Sequence, residues 1–521
     1  MFSNTFTKDF FAMNHILIRL NFLLLLAVVF PVMLRAQKVT YAEPDHEDFR
    51  QMQFEILGKM KGNFLIYKNY KSRHYISVYD NDMKQVAKES LDFMPDRTIN
   101  EDFVSYADYS LLIYQYQKRG IVYCMGVKLG PDGKKMSEPV EMDTTQVGTF
   151  GDNRIYTTVA SEDKQKILVL KIKGKNKDNL TITTMLFDAQ LNRQSKDRWR
   201  YQLDEREDII NDFAITNEAD FAFVHSHRGG LRDNISKCFL VMKKPGDSSP
   251  NITEVPFKDI YLDEVRLKVD NYNHRLLITS FYYKGRRGNI DGLFVATAPW
   301  SSPSAIESST MLFSDQLRSQ AKGDANYKLA FNDYFIKHII IRSDGGFVLT
   351  SESNYSSTRG NSWNRWDYLW GNPFLSPYDY YALSPWNNWG CGYNRWNSFQ
   401  STRYYADNIM VLSIDNKGIL QWSNIINKSQ YDDDSDNLLS YQLMNMGGKI
   451  NFLYNEWERR TPLLMTQSLS PDGKVTRDPP LKSMDRGYDI LIRLGKQVSA
   501  KQLIAPCIFR NSITFAKIEF S

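Results

Sequence analysis

Two histidines two residues apart form the first pattern in this sequence that could do chemistry. His225 and His227 lie in the stretch FVHSHRGG. Alternate residues of a β-strand point to the same face, so both imidazoles would face one way, as a pair of metal ligands must. No third ligand stands near them in the sequence. The metal role therefore stays open, and the alternative is a strand that simply ends at the Gly229-Gly230 turn.

Aspartates form a second pattern, in the stretch YDDDSDNLL that contains Asp432, Asp433, Asp434 and Asp436. Alternating carboxylates at 432, 434 and 436 could begin an oxygen cage for calcium. The rest of the stretch departs from an EF-hand loop, because asparagine replaces the turn glycine and leucine stands at the twelfth position. We expect a solvated acidic loop here.

Catalytic signatures are missing from the sequence. It has no GxSxG elbow, no HExxH helix and no phosphate loop ending in GK[ST]. A glycosidase pair of carboxylates could still form, because such a pair is defined by a separation in space. We assign no catalytic residue, predict no cofactor, and favour a protein that is not an enzyme.

The densest group of binding-type side chains lies in the segment 355–405. Six of the ten Trp of the chain occur there, among Gly, Pro, Asn and Ser. This composition predicts a long inserted loop, and disorder is the weaker explanation because disordered segments are poor in aromatics. Such rings can stack on sugars, dock on a protein, contact a membrane interface, or pack on one another as a cap. The predicted ligand- or partner-binding residues are Trp363, Trp366, Trp370, Tyr380, Tyr381, Trp386, Trp389 and Trp396.

The elements that must position these residues are short strands. Segments such as HYISVYD, KILVLKI and NIMVLSID are rich in β-branched and aromatic residues and are bounded by turn residues. A weakly periodic stretch at 308–325 is the best candidate for a short helix. The pattern predicts an all-β protein.

A hairpin turn marked by aspartate recurs along the chain, at intervals of about 52 to 57 residues outside one longer gap. That gap holds two weaker turns, near 245–247 and 301–303, and the aromatic segment. A period of this length with about four strands is typical of propeller blades, whose small sheets bury both faces only by packing on their neighbours. The turn aspartates are Asp80, Asp132, Asp188, Asp415 and Asp472.

We therefore expect one β-propeller domain over 37–521, with an insertion at 355–405 and about seven four-stranded blades. The last segment supplies only two clear strands, so a closing blade built from both ends of the chain is plausible. Eight blades, or two β-sandwich domains, are the alternatives.

One blade carries a family resemblance. The stretch LSIDNKGILQWSNI contains Asp415, Gly418 and Trp422 in the order D-x-x-G-x-x-x-W. This resembles the blade motif of quinoprotein-like propellers. The sequence as a whole is similar in character to exported propeller proteins of the Bacteroidota. The resemblance implies a propeller in which the Trp packs between adjacent blades. It implies no cofactor residues, because none of them maps onto this chain.

Residues 1–36 are typical of a signal peptide. Arg19 precedes an apolar run at 20–34, and Ala36 fits a cleavage site that leaves Gln37 first. The alternative is a membrane anchor, although the run is shorter than the roughly 20 residues of a spanning helix. We expect an exported protein of the periplasm or outer cell surface, with no transmembrane span after cleavage.

Charge excludes one class of partner. The 65 Lys and Arg are scattered among 60 Asp and Glu, without the basic stripe that nucleic-acid binding requires. The sequence as a whole favours an exported, monomeric, non-enzymatic propeller that acts as a binding or scaffold module for an envelope protein or polysaccharide. A glycan-processing hydrolase or lyase is the first alternative, and a quinoprotein-like redox enzyme is the second.

Overall fold

The computed structural model of the chain describes residues 37–45, 47–147, 155–176, 179–203, 208–230, 233–286, 288–322, 329–358, 365, 402–433, 435–458, 461–480 and 487–520. Within these residues the protein is almost entirely β. The strands form antiparallel sheets, most of them four-stranded with neighbours in chain order, as expected for a propeller-like fold.

Each of blades 1 to 7 is an up-and-down sheet whose four strands follow one another along the chain. Blade 1 consists of β2 Met52–Met60, β3 Asn63–Tyr70, β4 Arg73–Tyr79 and β5 Gln85–Ser90; blade 2 of β6 Asn100–Ser105, β7 Ser110–Lys118, β8 Ile121–Leu129 and β9 Val140–Gln146; blade 3 of β10 Tyr156–Ala160, β11 Lys166–Asn176, β12 Asn179–Asp188 and β13 Arg193–Gln202; and blade 4 of β14 Ile209–Ile215, β15 Phe221–Arg228, β16 Ile235–Lys243 and β17 Asn251–Glu254.

The second half of the chain repeats this plan. Blade 5 consists of β19 Arg266–Asp270, β20 Arg275–Tyr283, β21 Gly292–Pro299 and β22 Glu307–Leu312; blade 6 of β23 Tyr334–Ile341, β24 Phe347–Thr358, β25 Thr402–Ile414 and β26 Leu420–Ile426, with β27 Tyr431–Asp432 beside β25; and blade 7 of β28 Tyr441–Asn445, β29 Ile450–Glu458, β30 Thr461–Leu469 and β31 Val475–Arg477. A short strand, β18 Tyr261–Leu262, joins blades 4 and 5 by pairing with β16 and with β20.

Blade 8 is built from both ends of the described chain. Its first position is shared by β32 Tyr488–Ile490 and β33 Lys496–Ser499, and β34 Gln502–Phe509 and β35 Ser512–Glu519 follow. The outer strand is β1 Lys38–Tyr41, which runs antiparallel to β35 with Lys38 opposite Glu519. The N-terminal strand therefore closes the last blade.

The hydrophobic core shows that the blades form a closed ring. Eight buried apolar clusters are present among the described residues, and seven of them join two blades that follow one another in the chain. The cluster with Ile56 and Phe64 of blade 1 also contains Ile504 and Phe515 of blade 8. Face-to-face packing thus continues from the last blade to the first, as a propeller requires.

Eight blades are seen in the described residues, which is the alternative count from the sequence. The turn-marked units of the sequence correspond to blades 1 to 7, and the two weaker turns connect β16 to β17 and β21 to β22. Blade 8 has no such turn, because its outer strand arrives from the other end of the chain. Counting the turn-marked repeats in the sequence therefore gives one blade fewer than the structure has in its described residues.

The recurring aspartates stabilise the hairpin turns through hydrogen bonds from the backbone to their side chains. Oδ1 of Asp188 accepts hydrogen bonds from the backbone N–H groups of Gln190 and Asn192, both at 2.8 Å. Asp415 does the same with residues 417 and 419, at 2.9 and 2.8 Å. The residue three places after each aspartate closes the turn with positive φ, 66° at Leu191 and 78° at Gly418. Aspartate at this position replaces lost backbone hydrogen bonds, which explains its recurrence.

Trp422 occupies the position that the blade resemblance implies. Its Nε1 donates to the carbonyl oxygen of Pro471 in the next blade at 3.2 Å. Gly473, with φ of 84°, lies flat against the indole, and a Cβ at that residue would stand 2.7 Å from a ring atom. The tryptophan thus packs between blades 6 and 7.

The stretch predicted as a helix at 308–325 is divided in the structure. Its first part belongs to β22, and α1 Asp315–Lys322 follows with Leu317 and Ala321 packed on blades 5 and 6. None of the helices in the described ranges has the length and apolar composition needed to cross a membrane.

The up-and-down blades give the molecule two distinct ends. The turns between first and second strands and between third and fourth strands lie at one end, the turn end. The connections between second and third strands and between blades lie at the other, the insertion end. Segment 359–401 leaves β24 and returns to β25, the second and third strands of blade 6, so it starts and finishes at the insertion end.

Candidate functional site

The eight aromatic residues predicted as the binding surface lie outside the described residues. The strands that carry the insertion are described up to Thr358 and again from Thr402. Near its base, the rings of Tyr355 and Tyr405 stack 4.5 Å apart at 10°. The hydroxyl of Tyr355 donates to Asp407 at 2.9 Å. The base of the insertion is thus a hydrogen-bonded aromatic pair.

Arg365, the one described residue between 359 and 401, is held tightly at the insertion end. Its Nε and Nη2 donate to the two oxygens of Asp263, at 3.1 and 2.5 Å. Its Nη1 donates to the carbonyl oxygens of Asn332 and Tyr334, at 2.9 and 2.7 Å, and its guanidinium carbon lies 4.1 Å from the centre of the Phe335 ring. The side chain is 9% exposed. A buried bidentate pair of this kind holds the Arg365 side chain in one orientation.

His225 and His227 do face the same side of their strand, as the sequence predicted. Asp208, at the start of blade 4, lies between the two rings and is fully buried. Nδ1 of His227 donates to Asp208 Oδ1 at 2.7 Å, and Nε2 of His225 lies 3.1 Å from Oδ2. The other nitrogen of His225 shares a 2.8 Å hydrogen bond with the Tyr201 hydroxyl. The histidines are therefore linked through a carboxylate.

A second polar cluster lies on the first strands of blades 4 and 5, around Arg266. Its Nη2 is 2.7 Å from Glu264 Oε1 and its Nη1 is 3.5 Å from Asp212 Oδ1. The other oxygen of Asp212 accepts the backbone N–H of Leu267 at 2.8 Å. Burial raises the pKa of both carboxyl groups. Asp212 also has a φ of 54°, a strained conformation of the sort found at functional sites.

These groups could together bind a polar ligand or exchange protons. A buried carboxylate that accepts a hydrogen bond from Nδ1 of a histidine fixes the tautomer and the orientation of the ring and leaves Nε2 as the free proton acceptor. Carboxyl groups whose pKa values are raised by burial give up a proton less readily than exposed ones. The His227 side chain is 17% exposed and that of Arg266 is 37% exposed, so both reach the surface, whereas their partners Asp208 and Glu264 are buried.

Most of the hydrogen-bond and ion-pair partners in these clusters could not be predicted from the sequence. Asp208 reaches His227 from 19 residues away, and Asp263 reaches Arg365 from 102 residues away. One signal was present, because the charged residues Asp263, Glu264 and Arg266 interrupt the strand-like stretch YLDEVRLKVD. Charges within an apolar strand pattern require partners, and here the partners come from neighbouring blades.

Metal binding finds no support in the described part of the chain, which contains no group of three His, Cys, Asp or Glu residues placed to hold an ion. Two aspartates of the predicted acidic loop, Asp433 and Asp436, are exposed and pair with separate arginines. Asp433 pairs with Arg403, and Asp436 pairs with Arg493 through two contacts at 3.0 and 3.1 Å. Asp434 lies outside the described residues.

Comparison with known proteins leaves the family open. No family model matches the chain. No curated protein matches it either. An ulvan lyase structure is 9% identical with a TM-score of 0.35, covering 79% of this chain and 90% of the lyase. A Synechocystis apocarotenoid oxygenase is 10% identical with a TM-score of 0.32, covering 94% of both chains.

Prolyl oligopeptidase B from Galerina marginata is 10% identical with a TM-score of 0.34, over 82% of this chain. The match takes in 57% of the peptidase, so this chain spans little more than half of that protein. The class that the fold defines is an all-β protein of propeller type with polar clusters at one end. The resemblance to quinoprotein-like propellers of the Bacteroidota is not confirmed by any of these comparisons.

Proposed function

We propose that the protein is an exported, monomeric binding propeller whose insertion end docks an envelope protein or polysaccharide. The observation that carries this proposal is the anchoring of Arg365 on Asp263. Arg365 belongs to the aromatic-rich insertion and lies at the end where the two polar clusters lie. Trp363 and Trp366 flank Arg365 in the sequence. Neither nucleic acid nor a cofactor is part of the proposal.

Replacing Trp386 and Trp389 together by alanine is expected to weaken partner binding by roughly tenfold or more, because buried aromatic anchors dominate such interfaces. The measurement is binding to a glycan array and to purified envelope fractions. Tyr272→Ala is the matched control, since this ring is 74% exposed in the turn between β19 and β20, at the turn end. Equal binding by all three proteins would mean that the insertion only caps the ring.

A glycan-processing hydrolase or lyase is the second candidate, and the Asp208–His227 pair is the observation that favours it. In this role Nε2 of His227 takes a proton from the substrate or from water. The raised pKa values of Glu264 and Asp212 suit a carboxyl group that donates a proton back to the substrate. A quinoprotein-like redox enzyme receives no comparable support from the described residues.

His227→Asn tests this second candidate. We expect it to lower turnover of a bound polysaccharide by about 10²- to 10⁴-fold while binding is retained, because general-base catalysis supplies that factor. The assay follows new reducing ends and unsaturated products as a function of pH. His274→Asn is the control, because His274 is 64% exposed and lies at the turn end. Wild-type protein that binds a polysaccharide but forms no product would exclude the enzyme.

A further inference from the structure

A half-exposed aromatic row follows the outer side of the insertion base. Tyr405 on β25 lies opposite Tyr431 on β27, with ring centres 6.4 Å apart. Tyr355 stacks on Tyr405 and fixes it from the other side. Tyr431 ends the row and is 54% exposed. The row therefore presents one ring to solvent on a support of two others.

A charged pair borders this exposed ring. The Arg403 guanidinium carbon lies 4.9 Å from the centre of the Tyr431 ring. Its Nε and Nη2 donate to the two oxygens of Asp433, at 2.5 and 3.1 Å. The two side chains are 46% and 57% exposed. An exposed ion pair of this kind adds little to the stability of the fold.

We propose that Tyr431, Arg403 and Asp433 form a subsite for one pyranose ring of a polysaccharide. The inference rests on the proposed binding function and names the ligand class for one part of it. The apolar C–H face of a sugar packs on the tyrosine ring, while adjacent hydroxyls donate to Asp433 and accept from Arg403. A few placed polar groups around an apolar surface are the usual composition of a small-ligand site.

The small size of this exposed surface favours a sugar over a protein partner. A stable protein interface buries about 800 Å² on each partner around a central apolar core. Here a single exposed ring is bordered directly by charged groups. One residue of a chain of repeating sugars is small enough to be held by a single ring of this kind.

Binding of dextran, xylan, pectin and alginate by the full chain tests the proposal, using calorimetry on wild type, Tyr431→Ala, Arg403→Ala and Tyr272→Ala. We expect Tyr431→Ala to weaken binding about tenfold and Arg403→Ala severalfold, and Tyr272→Ala to stay within twofold. Because Tyr431 is 54% exposed, its replacement should leave the fold intact. Melting curves verify that each variant is folded.

Two results overturn the subsite alone. One is polysaccharide binding that Tyr431→Ala leaves unchanged. The other is a wild-type protein that binds a purified envelope protein through the insertion and none of the polysaccharides. Binding of neither class by wild type overturns the proposed function together with the subsite.

Discussion

Lys428→Met is expected to lower the free energy of unfolding by about 3–5 kcal/mol, because it removes the nearest counter-ion of a buried carboxylate. Nζ of Lys428 is 2.7 Å from Glu352 Oε1, and both side chains are fully buried. The same Nζ donates to Ala406 and Gln430, at 2.6 and 2.8 Å. Burial alone would raise the pKa of Glu352, yet Lys428 and Lys337 hold it below its ordinary value. Urea denaturation at neutral pH measures the loss.

Two further variants make this result specific. Lys135→Met breaks an ion pair with Glu138 that is 41% and 81% exposed, so we expect a loss below about 1 kcal/mol. Combining Lys428→Met with Glu352→Gln removes the orphaned charge and should recover part of the stability. A Lys428→Met protein as stable as wild type would show that the Lys428–Glu352 pair contributes little to the stability of blade 6.

A chain that begins at Glu43 is expected to be less stable than one that begins at Gln37, by about 3–5 kcal/mol, since each buried apolar side chain contributes about 1.5–3 kcal/mol. The shorter chain lacks β1, whose Val39 and Tyr41 pack on the core between blades 7 and 8. It also leaves β35 as an unpaired edge, which favours aggregation. Thermal melting and size-exclusion chromatography measure both effects.

A peptide of residues 37–43 provides the control, because it can rebind β35 in trans. Added in excess, it should raise the melting temperature of the shorter chain, with a gain that grows with the logarithm of the peptide concentration. Identical melting of the two chains without peptide would show that blade 8 is stable with three strands and that the N-terminal strand is dispensable for closure.

Local features of this fold could be predicted from the sequence, because a hairpin is specified by a few adjacent residues. Asp188 and Asp415 mark turns by bonding to their own neighbours, and the shared face of His225 and His227 follows from strand geometry alone. The eighth blade could not be counted in this way, because β1 and β35 lie at opposite ends of the domain.

The candidate site was predictable only in fragments. The position of the insertion within a blade was visible, whereas the charged partners of Arg365 and Arg266 depend on which blades become neighbours. Asp208 illustrates the limit, because nothing in its own segment indicates that two histidines on the next strand will face it. Such contacts are decided by packing rather than by local preference.

The short strand β18 has a consequence for how a ligand would be received. It pairs with β16 of blade 4 and with β20 of blade 5, so backbone hydrogen bonds fix the relative position of these two blades at the insertion end. His227 and Arg266, on opposite sides of this junction, are thereby preorganised. A ligand that contacts both would lose little free energy to ordering the protein, and its affinity should depend mainly on desolvation and on its own flexibility.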